Sequence, residues 1–316
     1  MELKRFSVPF EAEEMLSFLA DIFGEEERAL ESPQLLGEET PYNTDIVYQA
    51  YEGGMLLGAV HATIPKHDCQ IAGLSAMFTT PAARGKGVGK LLFRAILDEL
   101  DECGVRAVFL GTENPIAENM YASFGFRYLY GSAVMIRTNG CDAVSFFKER
   151  FSTAEGSLSV TDGSADARIP IIPLALSRLA FKVYDANVSI APPDIMTQGS
   201  CMGLFPRYAS LKDRGAYYTA YDTRGVLGAV STAVKNEEGG CCFDLFFAPT
   251  FEGAAPLLLD RAIQFAKGKK IYMNIAECDE KKAALARALG FAPSDSAVIS
   301  IKDALFPSKL FVFGRK

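Results

Sequence analysis

Histidine is almost missing from these 316 residues: His61 and His67 are the only two. With no second histidine–cysteine cluster beside them, a dedicated zinc site is not expected and no metal is assigned. The seven cysteines are odd in number and form no C-x-x-C pair, and Cys241 and Cys242 are adjacent. That is no disulfide framework, and it fits a reducing, cytoplasmic setting. No apolar run reaches the length that crosses a bilayer, so no membrane partner is expected. The opening "MELKRFSVPFEAEEM" has no uninterrupted apolar stretch, and the expectation is that it is not a secretory signal. A basic excess is lacking too: 32 Lys and Arg stand against 39 Asp and Glu, for a net charge of −7 and a pI near 5.1. A nucleic-acid partner would want a basic stripe, so none is expected. What is present is an ordinary globular composition, 49% hydrophobic and 22% charged, in a chain long enough for two domains.

The chain repeats itself. "AYEGGMLLGAV" from Ala50 returns as "AYDTRGVLGAV" from Ala220, with Tyr51, Leu57 and Gly58 matched by Tyr221, Leu227 and Gly228 at a spacing of 170. Pro81 then matches Pro249, "LLFRAI" matches "LLDRAI", and "ASFGF" matches "ARALGF". Finally "GSAVMIR" from Gly131 resembles "DSAVISI" from Asp295. The order never changes, which predicts a duplicated domain. Each copy has an N-terminal strand ("LKRFSV"; "ARIPIIP"), helical material, two strands joined by a glycine-bearing turn, and a strand ending in proline. A long helix, a buried strand, a shorter helix and a last apolar strand follow. This is an α/β (α+β) pattern with mixed, largely antiparallel sheets flanked by helices. In the first helix Met15, Phe18, Ile22 and Phe23 make an apolar stripe. The predicted division is 1–137, a small polar linker over 138–165 in which Ala143–Phe151 could form its own helix, and 166–316.

Positive charge and glycine concentrate at one turn, "PAARGKGVGKLL" from Pro81. Backbone N–H groups there, without Cβ atoms in the way and at a helix start, suit an anion. Arg84, Lys86 and Lys90 surround the turn, and Val88, Leu91, Leu92, Ala95, Ile96 and Leu100 form the expected buried stripe behind it. The spacing is neither a Walker A loop nor a dinucleotide G-x-G-x-x-G turn. It resembles the acetyl-CoA pyrophosphate loop of the GNAT N-acetyltransferase superfamily, Arg/Gln-x-x-Gly-x-Gly/Ala, with Arg84, Gly87 and Gly89 in place. Downstream, "NPIAENMYASFGF" is similar to a second signature of that family through Asn114, Ala117, Tyr121, Gly125 and Phe126. The resemblance covers residues 1–137 well and the second copy weakly.

The resemblance implies acetyl-CoA as donor and an amine as acceptor, a small molecule or a peptide. It implies pyrophosphate contacts from the backbone of Arg84, Gly85, Lys86, Gly87, Val88, Gly89 and Lys90. Pantetheine and thioester would meet Met77, Phe78 and Thr79, Asn114 would reach the coenzyme arm, and Tyr121 would be the general acid. The strand glutamate that some members of the family carry, near Ser75 and Ala76, is absent. Glu113, His61 or water therefore remain as alternatives for the base. His61 is of the residue type that titrates near neutrality, though strand alternation leaves it buried or facing solvent alike. The carboxylate-dense "EAEEMLSFLADIFGEEE" would draw a cationic acceptor or be simply a solvated helix face.

The second copy has "PTFEGAAPLLL" where the first has its glycine turn: the basic residues are gone, and Glu252 and Pro256 have arrived. The tyrosine position holds Ala286. This copy is expected to keep the fold without holding coenzyme A, and to wall the acceptor cleft or form a homodimer contact. Its paired cysteines are expected to be small core residues of a strand. A different class of function stays open beside the enzyme, a non-catalytic acetyl-CoA sensor or partner-binding module.

Overall fold

The computed structural model describes residues 1–177, 183–194, 196, 197, 199–236, 239–294, 299–301 and 308–315. They divide into two compact units, Met1–Arg127 with Val134–Ala143, and Tyr128–Ala133 with Val144–Lys316.

The first unit runs β1 (Glu2–Ser7), α1 (Glu13–Phe23), α2 (Glu25–Leu35), β2 (Asn43–Glu52), β3 (Met55–Pro65), β4 (Ile71–Thr79), α3 (Val88–Glu102), β5 (Ala107–Gly111) and α4 (Pro115–Ser123). The short strands β6 (Arg127–Tyr128) and β7 (Val134–Thr138) follow. The strands make one mixed sheet in the order β1-β2-β3-β4-β5-β7-β6, in which β4 and β5 are parallel. Strand alternation sorts the side chains onto two faces. Val60, Ala62 and Ile64 of β3 pack with Leu92, Phe93, Ile96 and Leu100 of α3. Ala59 of the same strand packs with Met15, Leu16 and Leu19 of α1 and Leu35 of α2.

Two apolar faces are rotated from their expected positions. Gly24, at φ +99°, breaks the carboxylate-rich stretch into two helices, a conformation that glycine enters without steric cost. Helix α1 buries Met15, Leu16 and Leu19, and leaves Phe23 of the expected stripe 52% exposed. Helix α3 buries Val88, Leu92, Phe93, Ile96, Leu97 and Leu100, while Leu91 lies 37% exposed. The aromatic cluster of Phe93, Tyr121, Phe124 and Phe126 draws the helix round to that face.

The second unit's elements are α5 (Ala143–Phe151), β8 (Ser159–Asp162), α6 (Ile171–Leu176), α7 (Leu204–Ala209), β9 (Gly215–Tyr221), β10 (Leu227–Lys235) and β11 (Cys241–Phe247). They continue with α8 (Ala255–Ala266), β12 (Ile271–Ala276), α9 (Glu280–Ala288), β13 (Phe291–Pro293), β14 (Ile299–Ile301) and β15 (Ser308–Arg315). The sheet order is β8-β9-β10-β11-β12-β15-β13, with β14 on β15 and a parallel β11–β12 pair. Starting from β8, this is the same succession of neighbours as in the first sheet, with its parallel pair at the same place. Part of the "DSAVISI" match, residues 295–298, lies outside the described residues.

The strand expected at "ARIPIIP" does not form. Ala165–Ala167 is a 3-10 turn, and the wholly buried apolar run becomes α6. A short apolar run reads alike as buried helix or strand, which explains the mismatch. The unit's first strand is β8, which lies with α5 inside the stretch expected as linker and pairs antiparallel with β9. Cys241 and Cys242 are buried on β11, and all seven cysteines are free thiols.

Candidate active site

Strands β4 and β5 part company early. Their parallel pairing covers only Ile71, Ala72 and Gly73 against Ala107, Val108 and Phe109. On its other edge β4 carries a bulge: His61 pairs with Ser75 and Ala59 with Phe78, so Ala76 and Met77 together oppose Val60. Ala76 takes φ +49° there. Such an extra residue bends the strand and leaves backbone groups outside the ladder. Gly58 makes the close approach at this end possible, since a Cβ on it would stand 2.5 Å from the Phe78 carbonyl oxygen.

The glycine turn follows directly. A 3-10 turn over Pro81–Ala83 leads to Gly85 (φ +75°) and Gly87 (φ +79°), and a Cβ on either would meet nothing within 4 Å. No side chain caps α3, and its first backbone bond, Leu91 N–H to the Gly87 carbonyl, spans 3.0 Å. The N–H groups of Val88, Gly89 and Lys90 precede that bond and have no intrahelical acceptor. Arg84, Lys86 and Lys90 are exposed round this opening. The result is a bare, positively charged cradle that fits a phosphate-bearing ligand. A Cβ on Gly89 would lie 3.4 Å from both Met77 Cε and Met120 Sδ and 3.6 Å from Thr79 Cγ2, so these side chains line the first turn of α3. Phe78 differs from its two neighbours: its ring is buried and stacked on Phe18 at 5.9 Å, leaving only its backbone for a ligand.

Asn114 caps α4. Its Oδ1 accepts from Ile116 N–H at 2.9 Å, and Pro115 occupies the first helical position. Asn114, expected to reach the coenzyme arm, thus commits its side-chain oxygen to the helix. Tyr121 is 6% exposed and packs at 4.8 Å from the Phe93 ring; burial raises its pKa to about 12. Glu113 is exposed in the loop before α4.

His61 is fully buried and is corrected as a candidate base. Its Nδ1 lies 2.8 Å from Glu31 Oε2 and 3.1 Å from Ser75 Oγ, and its Nε2 lies 2.9 Å from Asp45 Oδ1. Burial works against the cation, but hydrogen bonds to Asp45 and Glu31 outweigh it and raise the pKa to about 9. An imidazole that already holds its proton at neutral pH is no base. Thr63 donates to Asp45 Oδ1 at 2.7 Å, and Ser75 donates to Glu31 Oε2 at 3.0 Å. Sequence reasoning missed Glu31 and Asp45. The one available signal was the placing of His61 and Thr63 between the apolar Val60, Ala62 and Ile64.

In the second unit the corresponding place is closed by its own chain. The β11–β12 pairing ends at Cys242 and Tyr272, as β4–β5 ends early, but the β10–β11 register runs without a bulge from Ala229 to Lys235. Lys282 of α9, fully buried, bonds to Asp244 and to the Tyr184 carbonyl. Asp244 also accepts from Ala186 N–H at 2.7 Å, and Asp279 from Tyr184 N–H at 3.1 Å. Glu252, in the loop that replaces the glycine turn, pairs with Lys281 at 2.8 Å. Among the described residues, no group of three or more His, Cys, Asp or Glu is arranged to hold a metal.

No curated protein sequence matches the chain. Solved structures to which the chain is similar include a GNAT-family acetyltransferase of Staphylococcus aureus, 17% identical over 43% of this chain and 99% of that one, with a TM-score of 0.36. A variant of the Vibrio cholerae spermidine N-acetyltransferase SpeG is 17% identical over 50% of this chain and 94% of its own, with a TM-score of 0.37. The Salmonella typhimurium protein yncA, solved with its cofactor acetyl-CoA, is 14% identical over 51% and 94%, with a TM-score of 0.38. The profile of the acetyltransferase (GNAT) family matches residues 12–126, the stretch that holds α1 to α4, the β4 opening and the glycine turn. Residues 12–126 are a GNAT-family acetyltransferase domain.

Proposed function

We propose that the first unit is an acetyl-CoA-dependent N-acetyltransferase and that the second is a non-binding relative of it produced by duplication. The carrying observation is the bare glycine cradle of Gly85 and Gly87, set against the open edge of β4. Coenzyme A would bring the acetyl thioester, with its pyrophosphate on the N–H groups of Gly87 to Lys90 and its arm along the backbone of Met77 to Thr79. On this reading each of these residues takes a role. The N–H groups hold charge, the β4 bulge offers backbone donors where oxygen charge develops, and Tyr121 keeps a proton to give to the departing thiolate. A phenol raised by burial stays protonated through the working range, so its proton is in place when the thiolate departs. A thiol, whose ordinary pKa is about 8.5, is the stronger acid, so Tyr121 serves first as a hydrogen-bond donor to the sulfur as charge builds there. Asn114 acts by fixing the start of α4, which carries Tyr121.

The acceptor is an amine that arrives on the α1–α2 side, and the carboxylates of those helices favour a cation, as spermidine would be. The second unit would be empty, because Lys282 and the Tyr184–Ile190 segment occupy the opening that β4 leaves free. The deciding measurement is calorimetric titration with acetyl-CoA. Wild type is expected to bind one equivalent per chain and Gly87→Glu none, since a carboxylate would stand where phosphate belongs. Two equivalents would overturn the closed second unit, and no binding would overturn the cradle. Turnover of any amine, cut about 100-fold by Tyr121→Phe, separates an enzyme from a sensor that only binds acetyl-CoA.

A further inference from the structure

Ser75 stands at the apex of the opening in the first sheet. It lies just past Gly73, the last β4 residue paired with β5, and immediately before the bulge, and it is half-buried. Its hydroxyl donates at 3.0 Å to Glu31 Oε2, the oxygen that lies 2.8 Å from His61 Nδ1. His61 in turn reaches Asp45 at 2.9 Å. Apart from Ser75, this chain of groups is sealed: Glu31, His61 and Asp45 are all buried.

The chain is short of protons. Two carboxylates and one imidazolium leave one net negative charge, and Asp45 Oδ2 is buried without a hydrogen-bond partner. A buried group with more acceptors than donors gains from one more proton, which enters at Glu31, the member that Ser75 reaches. One turn earlier on α2, Glu27 is half-buried, and burial, with the charge of Glu31 second, raises its pKa. A cation approaching Ser75 would meet negative potential from both glutamates.

We propose that Ser75 is the catalytic residue that takes the proton from the acceptor's ammonium, passing its own to Glu31, with His61 and Asp45 as positioning residues. The inference rests on the N-acetyltransferase reading above and supplies the base that reading lacks. In the step, one N–H bond of the ammonium and the O–H bond of Ser75 break. A new O–H bond forms on Ser75 and another on Glu31. The acceptor passes from cation to neutral amine, and the buried group from one net negative charge to none. The carboxylate missing from β4 is thereby delivered from α2, through a hydroxyl.

The experiment compares Ser75→Ala, Ser75→Thr and wild type on ethylamine and its 2-fluoro, 2,2-difluoro and 2,2,2-trifluoro analogues at one neutral pH. Fluorination lowers amine basicity with little change in size, so the trifluoro compound needs no deprotonation. Ser75→Ala is expected to lower kcat for ethylamine about 100-fold or more, and the deficit should shrink steadily along the series to within about threefold. Ser75→Thr, which keeps the hydroxyl, should recover most of the loss. Acetyl-CoA affinity, measured on the same proteins, should stay within about twofold. A deficit equal for all four amines, or none at all, overturns the proposal and leaves the acetyltransferase reading standing. Absence of turnover in wild type with every amine overturns both.

Discussion

An imidazolium in a protein interior is tolerable only if carboxylates hold it, and His61 has one on each nitrogen. Removing it would strand Glu31 and Asp45 as buried, uncompensated charges. His61→Leu is therefore expected to cost about 3–5 kcal/mol in urea unfolding, far more than its loss of volume would suggest. A cost under about 1 kcal/mol would show that the pair is not charged. Little of this was legible beforehand. Strand alternation around His61 fits either face, and Glu31 is one more carboxylate in a helix that begins Glu25, Glu26, Glu27. Only the fold shows that α2 turns Glu31, Gln34 and Leu35 inward and leaves the first two glutamates in water. Tyr121 could be singled out as a candidate because Asn114, Gly125 and Phe126 form a spaced pattern around it, which buried charge networks lack.

At the level of elements, the glycine turn could be found in the sequence because it needs rare residues in a row, whereas the bulge in β4 could not. "LSAMFTT" is an unremarkable strand until its pairing with β3 is known. Gly58 is the hinge of that pairing. A methyl group placed 2.5 Å from the Phe78 carbonyl must push β3 and β4 apart. Gly58→Ala is expected to destabilise the first unit by about 1–3 kcal/mol. It should also weaken acetyl-CoA binding at least about tenfold, as the backbone of Met77 to Thr79 shifts with it. Unchanged affinity in a folded variant would show that the bulge does not depend on this contact. The same strand logic accounts for the two rotated helices: α1 and α3 follow the side chains waiting on each sheet face, not the best stripe on their own wheels.

Across the whole molecule, stability should fall as the medium becomes alkaline. His61 has its pKa raised from 6.5 to about 9, so its contribution is complete below 6.5 and is lost as pH rises through about 9. In the second unit burial, with Asp244 next, raises Asp185 from 3.8 to about 8, against the pull of Lys282. Its carboxyl keeps a proton in the fold that the unfolded chain releases, so stability falls as pH rises from 3.8 and the loss is complete by about 8. The two effects share a sign, and Tm at pH 9 is expected to lie more than about 4 °C below Tm at pH 6.5. A flat profile would contradict both assignments. Much of the molecular plan was visible in the sequence, since the matched "LLGAV" and "VLGAV" strands mark the same place in two sheets of the same order. What was not visible is where the second unit begins, because β8 and α5 sit in a stretch too polar and too small-residued to announce structure.

One difference between the sheets has a consequence for how such a chain can change. The first sheet carries an extra residue in β4 beside its opening, while β11 keeps an unbroken register with β10. Side chains alternate along a strand, so moving part of it by one position exchanges core and solvent for everything beyond. No exchange of one amino acid for another performs that shift; it takes a change in chain length. The second unit could acquire glycines and basic residues singly, yet the strand itself would keep its register. Substitutions can redecorate that strand, but only an added residue can bend it.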